Sequence, residues 1–504
     1  MPCFAPAPNL VLRFLPRADN LPLMDVPKLP PETLANLPPT VAEFIRQLLG
    51  VIEHQAGIIN QQQAKIAELE EKLSKNSNNS SKPPSSDGPA VKPAPSKPAS
   101  GRKRGGQPGH PKQSRALIPI AECQRVVPCL PAACRNCSKP LAGTDANPLR
   151  FQVTELPPVI PVVTEYQRHR LVCSCGFSTC GSLPEGVAGQ DGPRLKAALV
   201  LLTGRYRLSK ENAANLMGDF FGVSMSAGQV CSVEAEAGRV LQPVADEILA
   251  AARQSASNID ETSMGKGRWL WVMVTAVGTS FQIVTGRNRE ELLRLIGPDY
   301  VRVITSDRHS LYSRVPAELH QLCWAHLRRD FQAMIDRENA GSETGRELLA
   351  LSDEMFGLWK RVRDGTLSRK AFESRVTVTG DLRIRLRAAL DRGTGGGCAK
   401  TRRTCLRLIK DEAKLWRFAF VKGVEPTNNA AERAIRHGVI WRRQNHGPKS
   451  EAGARYLANI WSLVETCRQQ GRQVWDFLAQ CWEAACSGRP MPSLIAPKAQ
   501  PQAA

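Results

Sequence analysis

Two aspartates close apolar, strand-like runs in this sequence: Asp260 ends Ser257-Asn-Ile-Asp, and Asp307 ends Val301-Arg-Val-Ile-Thr-Ser-Asp. A carboxylate at a strand end can face an open rim of a sheet, where a hard divalent cation reaches its oxygens. An aspartate in such a place is also a common turn residue or helix cap. A third carboxylate, Glu432, opens a helical stretch in Glu425-Pro-Thr-Asn-Asn-Ala-Ala-Glu-Arg-Ala-Ile-Arg436. Asn429 and Glu432 have the Asn-x-x-Glu spacing of a capping box, in which the glutamate serves the helix's own first amides. The other reading aims Glu432 from the first helical turn at both aspartates. The two roles compete for the same oxygens, and these residues alone leave the choice open. Glu261 should point to the opposite face of its strand and stay outside any shared cation site.

A second ligand set is made of cysteines. Cys134-Arg-Asn-Cys137 and Cys173-Ser-Cys175 are separated by two strand-like runs, Leu149–Leu156 and Val162–Cys173. Thiolate pairs on tight turns can converge on one tetrahedral Zn²⁺, as in a zinc ribbon, with Cys129 and Cys180 close enough to substitute. Buried free thiols are the alternative. No signal peptide and no uninterrupted apolar span is visible, so the expected location is the cytoplasm, associated with the nucleoid and with no membrane. A disulfide framework for the 15 cysteines is not expected there.

These residues need a large scaffold. At 504 residues the chain exceeds one core, and about 100–200 residues per domain suggests three or four. Lys and Arg number 68 against 47 Asp and Glu, a net charge of +21 that favours a polyanion such as nucleic acid over neutral partners. After an N-terminal extension (1–38), Ile45, Ile52, Ile59, Ile66 and Leu73 recur every seventh position, with Leu48, Gln55, Gln62 and Leu69 as the companion seam. This predicts a coiled coil over 39–75 and a homo-oligomer through it. A flexible basic linker over 76–115 follows, rich in Ser, Asn, Pro, Gly and Lys. The zinc module takes 116–182. Residues 183–254 read as helices, and the glycine turn between Leu208–Gly222 and Ala227–Leu241 has the helix-turn-helix pattern. Strands dominate 255–330, a helical period dominates 331–424, and 425–485 completes the core with C-terminal helices. The tail, 486–504, is expected to be disordered.

The order of motifs resembles the insertion-sequence-66 family of transposases. The likeness runs through Asn-Ser-Asn-Asn-Ser-Ser-Lys-Pro-Pro-Ser-Ser-Asp (76–87), Gly-Gly-Gln-Pro-Gly-His (105–110), Leu183-Pro-Glu-Gly-Val187 and Asp260-Glu-Thr262. It continues through Ser306-Asp-Arg308, Gln321-Leu-Cys-Trp-Ala-His-Leu327, Thr427-Asn-Asn-Ala-Ala-Glu-Arg433 and Gln470-Gly-Arg-Gln-Val474. The resemblance implies a multidomain α/β chain with a ribonuclease H-like mixed sheet, interrupted by a helical insertion over 331–424. It also implies a DDE triad of Asp260, Asp307 and Glu432 holding Mg²⁺ or Mn²⁺. Two such ions about 3.5–4 Å apart can activate a nucleophile and neutralise a leaving oxygen. Water would first free a 3′-hydroxyl at the element's end, and that hydroxyl would then join target DNA.

Arg308, Arg433 and Arg436 are candidates for bidentate phosphate contact, although ordinary salt bridges explain them equally well. His326 is a candidate for positioning near the scissile phosphate. Small accessory proteins of the same element are possible partners. The sequence departs from the family at Ser263-Met-Gly-Lys-Gly267 and at Arg442-Arg-Gln-Asn-His-Gly-Pro448, which puts substrate grip in question. Two rivals differ in kind. A tyrosine recombinase would need Tyr456 as nucleophile and no metal, and a non-catalytic, zinc-containing DNA-binding regulator would not need the triad at all.

Overall fold

The computed structural model describes residues 37–76, 78–80, 115–187 and 189–495. Its contacts form two compact units, one holding Pro39–Ser74, Tyr166–Ala214 and the described residues from Ser226 on, the other holding residues 115–165 and Asn215–Met225.

In the larger unit, the heptad segment is one 36-residue helix, α1 (Pro39–Ser74). Its seam is open to solvent, with Ile52 47% and Leu73 87% exposed. The expected linker does not begin at once: Asn76–Ser80 fold into a turn, and Asn79 Nδ2 donates to Asp336 at 2.9 Å and to the Ser74 carbonyl at 3.1 Å. The rest of the linker and residues 1–36 lie outside the described residues.

Strand β1 (Arg170–Val172) pairs antiparallel with β2 (Ser178–Cys180). The expected strand at 149–156 is absent: Leu149, Phe151 and Val153 sit in the smaller unit without ladder partners and more than 80% exposed. Alternation marked an extended chain there, but a strand also needs a neighbour to take its amides.

Helices α2 (Pro193–Val200), α3 (Lys210–Phe221), α4 (Ala227–Val240) and α5 (Gln242–Ala252) follow, so the helical reading of this stretch is what forms. The α4 start is a true capping box between Ser226 and Gln229. The core sheet has five strands in the order β5-β4-β3-β6-β7: β3 (Ser257–Gly265), β4 (Arg268–Thr275), β5 (Thr279–Val284), β6 (Ile304–Ser306) and β7 (His320–Leu322). β3, β4 and β5 are antiparallel neighbours, whereas β6 and β7 add in parallel on the other side of β3. Helix α6 (Arg289–Ile296) shares one face with Ile259, Trp271, Met273 and Tyr312.

The insertion comprises α7 (Trp324–Ile335), α8 (Ser342–Arg363), α9 (Arg369–Val376), α10 (Asp381–Gly395), α11 (Ala399–Lys410) and α12 (Arg417–Phe420). Its core, including Leu327, Phe331, Met355, Trp359, Phe372 and Phe418, is continuous with Leu322 of β7. Gln321, fully buried, explains its place in the Gln-Leu-Cys-Trp motif. Its Nε2 donates to the Leu415 carbonyl at 3.1 Å, and its Oε1 accepts from Phe418 N at 2.9 Å, fastening the returning chain to β7.

The chain re-enters the core as α13 (Asn429–Asn445), which packs on β3 and β4, then α14 (Glu451–Gln469) and α15 (Val474–Cys486). α14 lies on the edge strand β5, where Thr466 and Ser462 hydroxyls accept from Thr279 N at 3.1 Å and Phe281 N at 2.8 Å. An edge that would otherwise expose free amides is thus covered. Residues 486–495, expected to be disordered, are held in place, and the rest of the expected tail lies outside the described residues. Gln470 Nε2 donates to Leu494 O at 2.6 Å, Ser493 Oγ donates to Glu247, and Leu494 is buried.

The two departures from the family pattern pack on each other. Arg442 donates to the Ser263 carbonyl, and Gly447 follows the left-handed His446 with a φ of +87°. A Cβ on Gly447 would lie 2.1 Å from Met264 O. Gly447→Ala should therefore lower stability by about 1–3 kcal/mol through the forced overlap, read as an earlier denaturant midpoint with an unchanged slope.

Candidate active site

The first two carboxylates are set side by side by strand register. β3 and β6 pair in parallel as Ser257↔Ile304 and Asn258↔Thr305. Carrying the same offset two residues further brings Asp260 opposite Asp307, and neighbouring strands are about 4.8 Å apart. Asp307 leaves β6 in a tight turn, its Oδ1 accepting from His309 N at 2.9 Å.

The third is delivered by α13. The amide side chain of Asn428, 1% exposed, donates to the Ile259 carbonyl at 2.8 Å, and its backbone N–H donates to Cys323 Sγ at 3.1 Å. Trp324 N donates to Pro426 O at 2.9 Å, and Cys323 N to Ser306 O at 2.9 Å. Thr427-Asn-Asn thus ties the helix start to the strand residue just before Asp260 and to the turn just after β7. Of the two readings open for Glu432, the capping box with Asn429 does not form. Asn428 is the cap residue, and its side chain bonds across to β3 instead of to its own helix. Glu432 is released from capping.

Burial raises the Asp260 carboxyl well above the ordinary carboxylate range, and the nearby charges of Glu261, Asp307 and Glu432 add to it. Carboxylates clustered in this way hold one of their number protonated unless a cation lies among them. Glu432 Oε1 is buried without a hydrogen-bond partner. It lies 3.6 Å from His326 Nδ1, itself unpartnered, and Glu432 Oε2 lies 3.9 Å from Arg329. Cys323, His326 and Glu432 present ligand atoms within 4.8 Å of one another. Burial keeps His326 neutral and pushes the Cys323 thiol up to about 11, so the imidazole is the readier donor of the two. Asp260 and Asp307 are not part of that three-residue cluster; drawn in beside Glu432 they would supply the oxygen donors that a cation of the Mg²⁺ or Mn²⁺ kind takes.

Glu261 faces the other side, as strand alternation requires. Its Oε1 accepts from Arg287 at 2.9 and 2.7 Å, and Tyr312 donates to its Oε2. Arg308 is engaged by Asp330 at 2.5 Å, the ordinary salt bridge that the sequence allowed. Arg433 and Arg436 project from α13 into solvent. The sequence offers Arg329 only through His326-Leu-Arg-Arg329, a match to the tyrosine-recombinase pattern, and Asn428 only within the Thr427–Arg433 motif; neither is read from it as supporting Glu432. A His-x-x-Arg spacing on one helical face was the available signal for Arg329. Tyr456 is buried on α14, its hydroxyl bonded to Thr203 at 2.7 Å and to Val200 O at 3.1 Å, which suits packing rather than nucleophilic attack.

The cysteine pairs fall in different compact units. Cys134 and Cys137 flank a turn closed by Ser138 N to Cys134 O at 2.8 Å, and Cys173 and Cys175 one closed by Gly176 N to Cys173 O at 2.8 Å. In each pair the second cysteine's backbone N–H holds the first thiol below its usual range, favouring the metal-binding thiolate.

The profile of the family described as "Transposase IS66 family" matches residues 189–456, more than half of the sequence, and covers all three carboxylates. The chain belongs to that family of transposases. Residues 36–116 match a second family, described as of unknown function (DUF6444). A curated relative, "Uncharacterized protein y4qI" of Sinorhizobium fredii, is 26% identical over 301 residues, 53% of this chain. The chain spans 55% of that relative's length. No solved structure matches. Among the described residues, no helix is long and apolar enough to cross a membrane.

Proposed function

We propose that this chain is a DDE transposase with a ribonuclease H-like core, in which Asp260, Asp307 and Glu432 hold paired Mg²⁺ or Mn²⁺ ions against DNA at the ends of its element. What supports this reading is the parallel pairing of β3 with β6, whose register carried on past Asn258↔Thr305 would bring Asp260 to Asp307, together with the packing on β3 of the helix bearing Glu432. Cations bound there would neutralise charge on the attacking and leaving oxygens of a phosphodiester. The protein's own residues prepare the site. Asn428 fixes the approach of α13 to β3, while neutral His326 and Arg329 flank Glu432 and orient its carboxylate. Arg433 and Arg436 are free to take DNA phosphates bidentately. Strand cleavage by water frees a 3′-hydroxyl, and attack by that hydroxyl on target DNA releases the target's own 3′-oxygen as leaving group.

The two cysteine pairs, each on a turn that favours the thiolate, are proposed to bind structural Zn²⁺. The open seam of α1 is proposed to join a second copy in a coiled coil.

The test uses duplexes carrying the DNA that flanks the gene. The wild-type chain should nick them at the element boundary in Mg²⁺ or Mn²⁺. EDTA should stop nicking, and excess Mg²⁺ should restore it. Nicking that continues undiminished in EDTA would exclude this chemistry.

A further inference from the structure

We propose that α11, within the helical insertion, is a second DNA-contacting surface that grips the sugar–phosphate backbone without reading sequence. This rests on the chain's acting on DNA, and it adds a binding site remote in sequence from the three carboxylates.

The helix reads Ala-Lys-Thr-Arg-Arg-Thr-Cys-Leu-Arg-Leu-Ile-Lys and contains no acidic residue. Thr401, Cys405 and Leu408 are buried, at the i, i+4, i+7 spacing of one face, and α11 packs on α10. At 3.6 residues per turn the opposite face carries Arg402, Arg403, Leu406, Arg407 and Lys410. All five are exposed.

Its neighbour α10 shows how this insertion treats arginines it does not need for a partner. Arg383 pairs with Glu412 at 2.7 Å, Arg385 with Glu354 at 2.7 Å, Arg387 with Asp391 at 3.1 Å and Glu412 at 2.9 Å, and Arg392 with Glu347. No cation of the α11 outer face has a carboxylate partner among the described residues. Arg403, Arg407 and Lys410 stand one helical turn apart, where like charges repel. A polyanion would relieve that repulsion. A helix of this length is about 18 Å long, and duplex DNA presents a charge about every 1.7 Å of its axis. Four phosphates are within the reach of four such side chains. The face has no Asn or Gln for reading adenine, and its row of guanidinium and ammonium groups can take successive phosphates, the contacts that hold a duplex without reading its sequence.

The experiment measures binding of the full chain to a short random-sequence duplex by fluorescence anisotropy across a salt series. One variant carries Arg402→Gln, Arg403→Gln, Arg407→Gln and Lys410→Gln together. A second carries Arg402→Lys, Arg403→Lys and Arg407→Lys, and a third Arg385→Gln with Arg392→Gln on α10. In the glutamine variant of α11, the slope of log affinity against log salt should fall by about 0.9 per lost contact, up to about 3.6 in all. The lysine variant and the α10 variant should keep the wild-type slope. Gene-flanking duplexes should lose affinity by the same factor as random ones. The proposal is overturned if the glutamine variant of α11 keeps wild-type slope and affinity, or if the lysine variant loses as much. A loss confined to one sequence also overturns it. A wild-type chain that binds no duplex would instead sink the reading of the whole chain as a DNA enzyme.

Discussion

Asp260→Asn, Asp307→Asn and Glu432→Gln should each reduce metal-dependent nicking by about 10³-fold or more, with Asp260→Asn folding as stably as wild type or better. The first half follows from charge. A held cation contributes several kcal/mol to stabilising a phosphodiester transition state, and each 1.36 kcal/mol is tenfold in rate. An amide keeps the shape of a carboxylate and removes the charge that binds the ion. The second half follows from the site without DNA or cation. Asp260 is desolvated and faces Asp307 and Glu432, so its charge opposes folding, and a neutral isostere relieves that opposition. Activity lost while the unfolding midpoint stays level or rises is the signature of a carboxylate kept for function. A parallel loss of activity and stability would mark Asp260 as a structural residue.

Asn428→Ala should reduce nicking by about 10²-fold while costing about 1–3 kcal/mol of stability. The side chain has one dominant bond, to the Ile259 carbonyl, in a site that excludes water. Removing the donor leaves a buried acceptor unpaired, which sets the stability term. Ile259 is the residue before Asp260, and Asn428 immediately precedes the helix carrying Glu432. Losing the bond therefore frees two ligands to shift relative to one another, and misplacement by about 1 Å can cost on the order of 10²-fold in rate. Cys323→Ala, which removes only the sulfur acceptor for Asn428 N, should have the smaller effect on both. Nicking rates and denaturant midpoints of the two variants separate these outcomes.

Much of this architecture was legible because it is written in local periodicities. The heptads of α1, the helices of residues 193–252 and the strand-rich character of residues 255–330 all signal themselves locally. What was not legible lives in short or long-range features. β7 is three residues long, below the length at which alternation means anything, and of the run read at 301–307 only Ile304–Ser306 is strand. The expected strand at 149–156 had the right alternation and no partner. At Asn429 and Glu432 the local signal allowed a capping box as readily as a ligand role, and the helix start formed at Asn428, whose side chain bonds to β3. Asp307 follows the end of β6 as read, whereas Asp260, read as a strand end, lies inside β3, which runs on to Gly265; the meeting of the two depends on a parallel pairing that no local pattern reveals. The resemblance, not the spacing, identified the three as a set. The docking of Asn79 on Asp336 was hidden for the same reason, because a polar turn reads as linker until its distant partner is known.

The central claim is that Asp260, Asp307 and Glu432 surround one cation site, and iron-mediated cleavage tests it without any need for activity. Fe²⁺ loaded in place of Mg²⁺, with ascorbate and peroxide, cuts the backbone next to wherever the ion is held. The account predicts cuts clustered near residues 260, 307 and 432 in the wild-type chain, suppressed by excess Mg²⁺ and lost in Asp260→Asn. Cuts near 260 and 307 with none near 432, in the presence and in the absence of DNA, would contradict it.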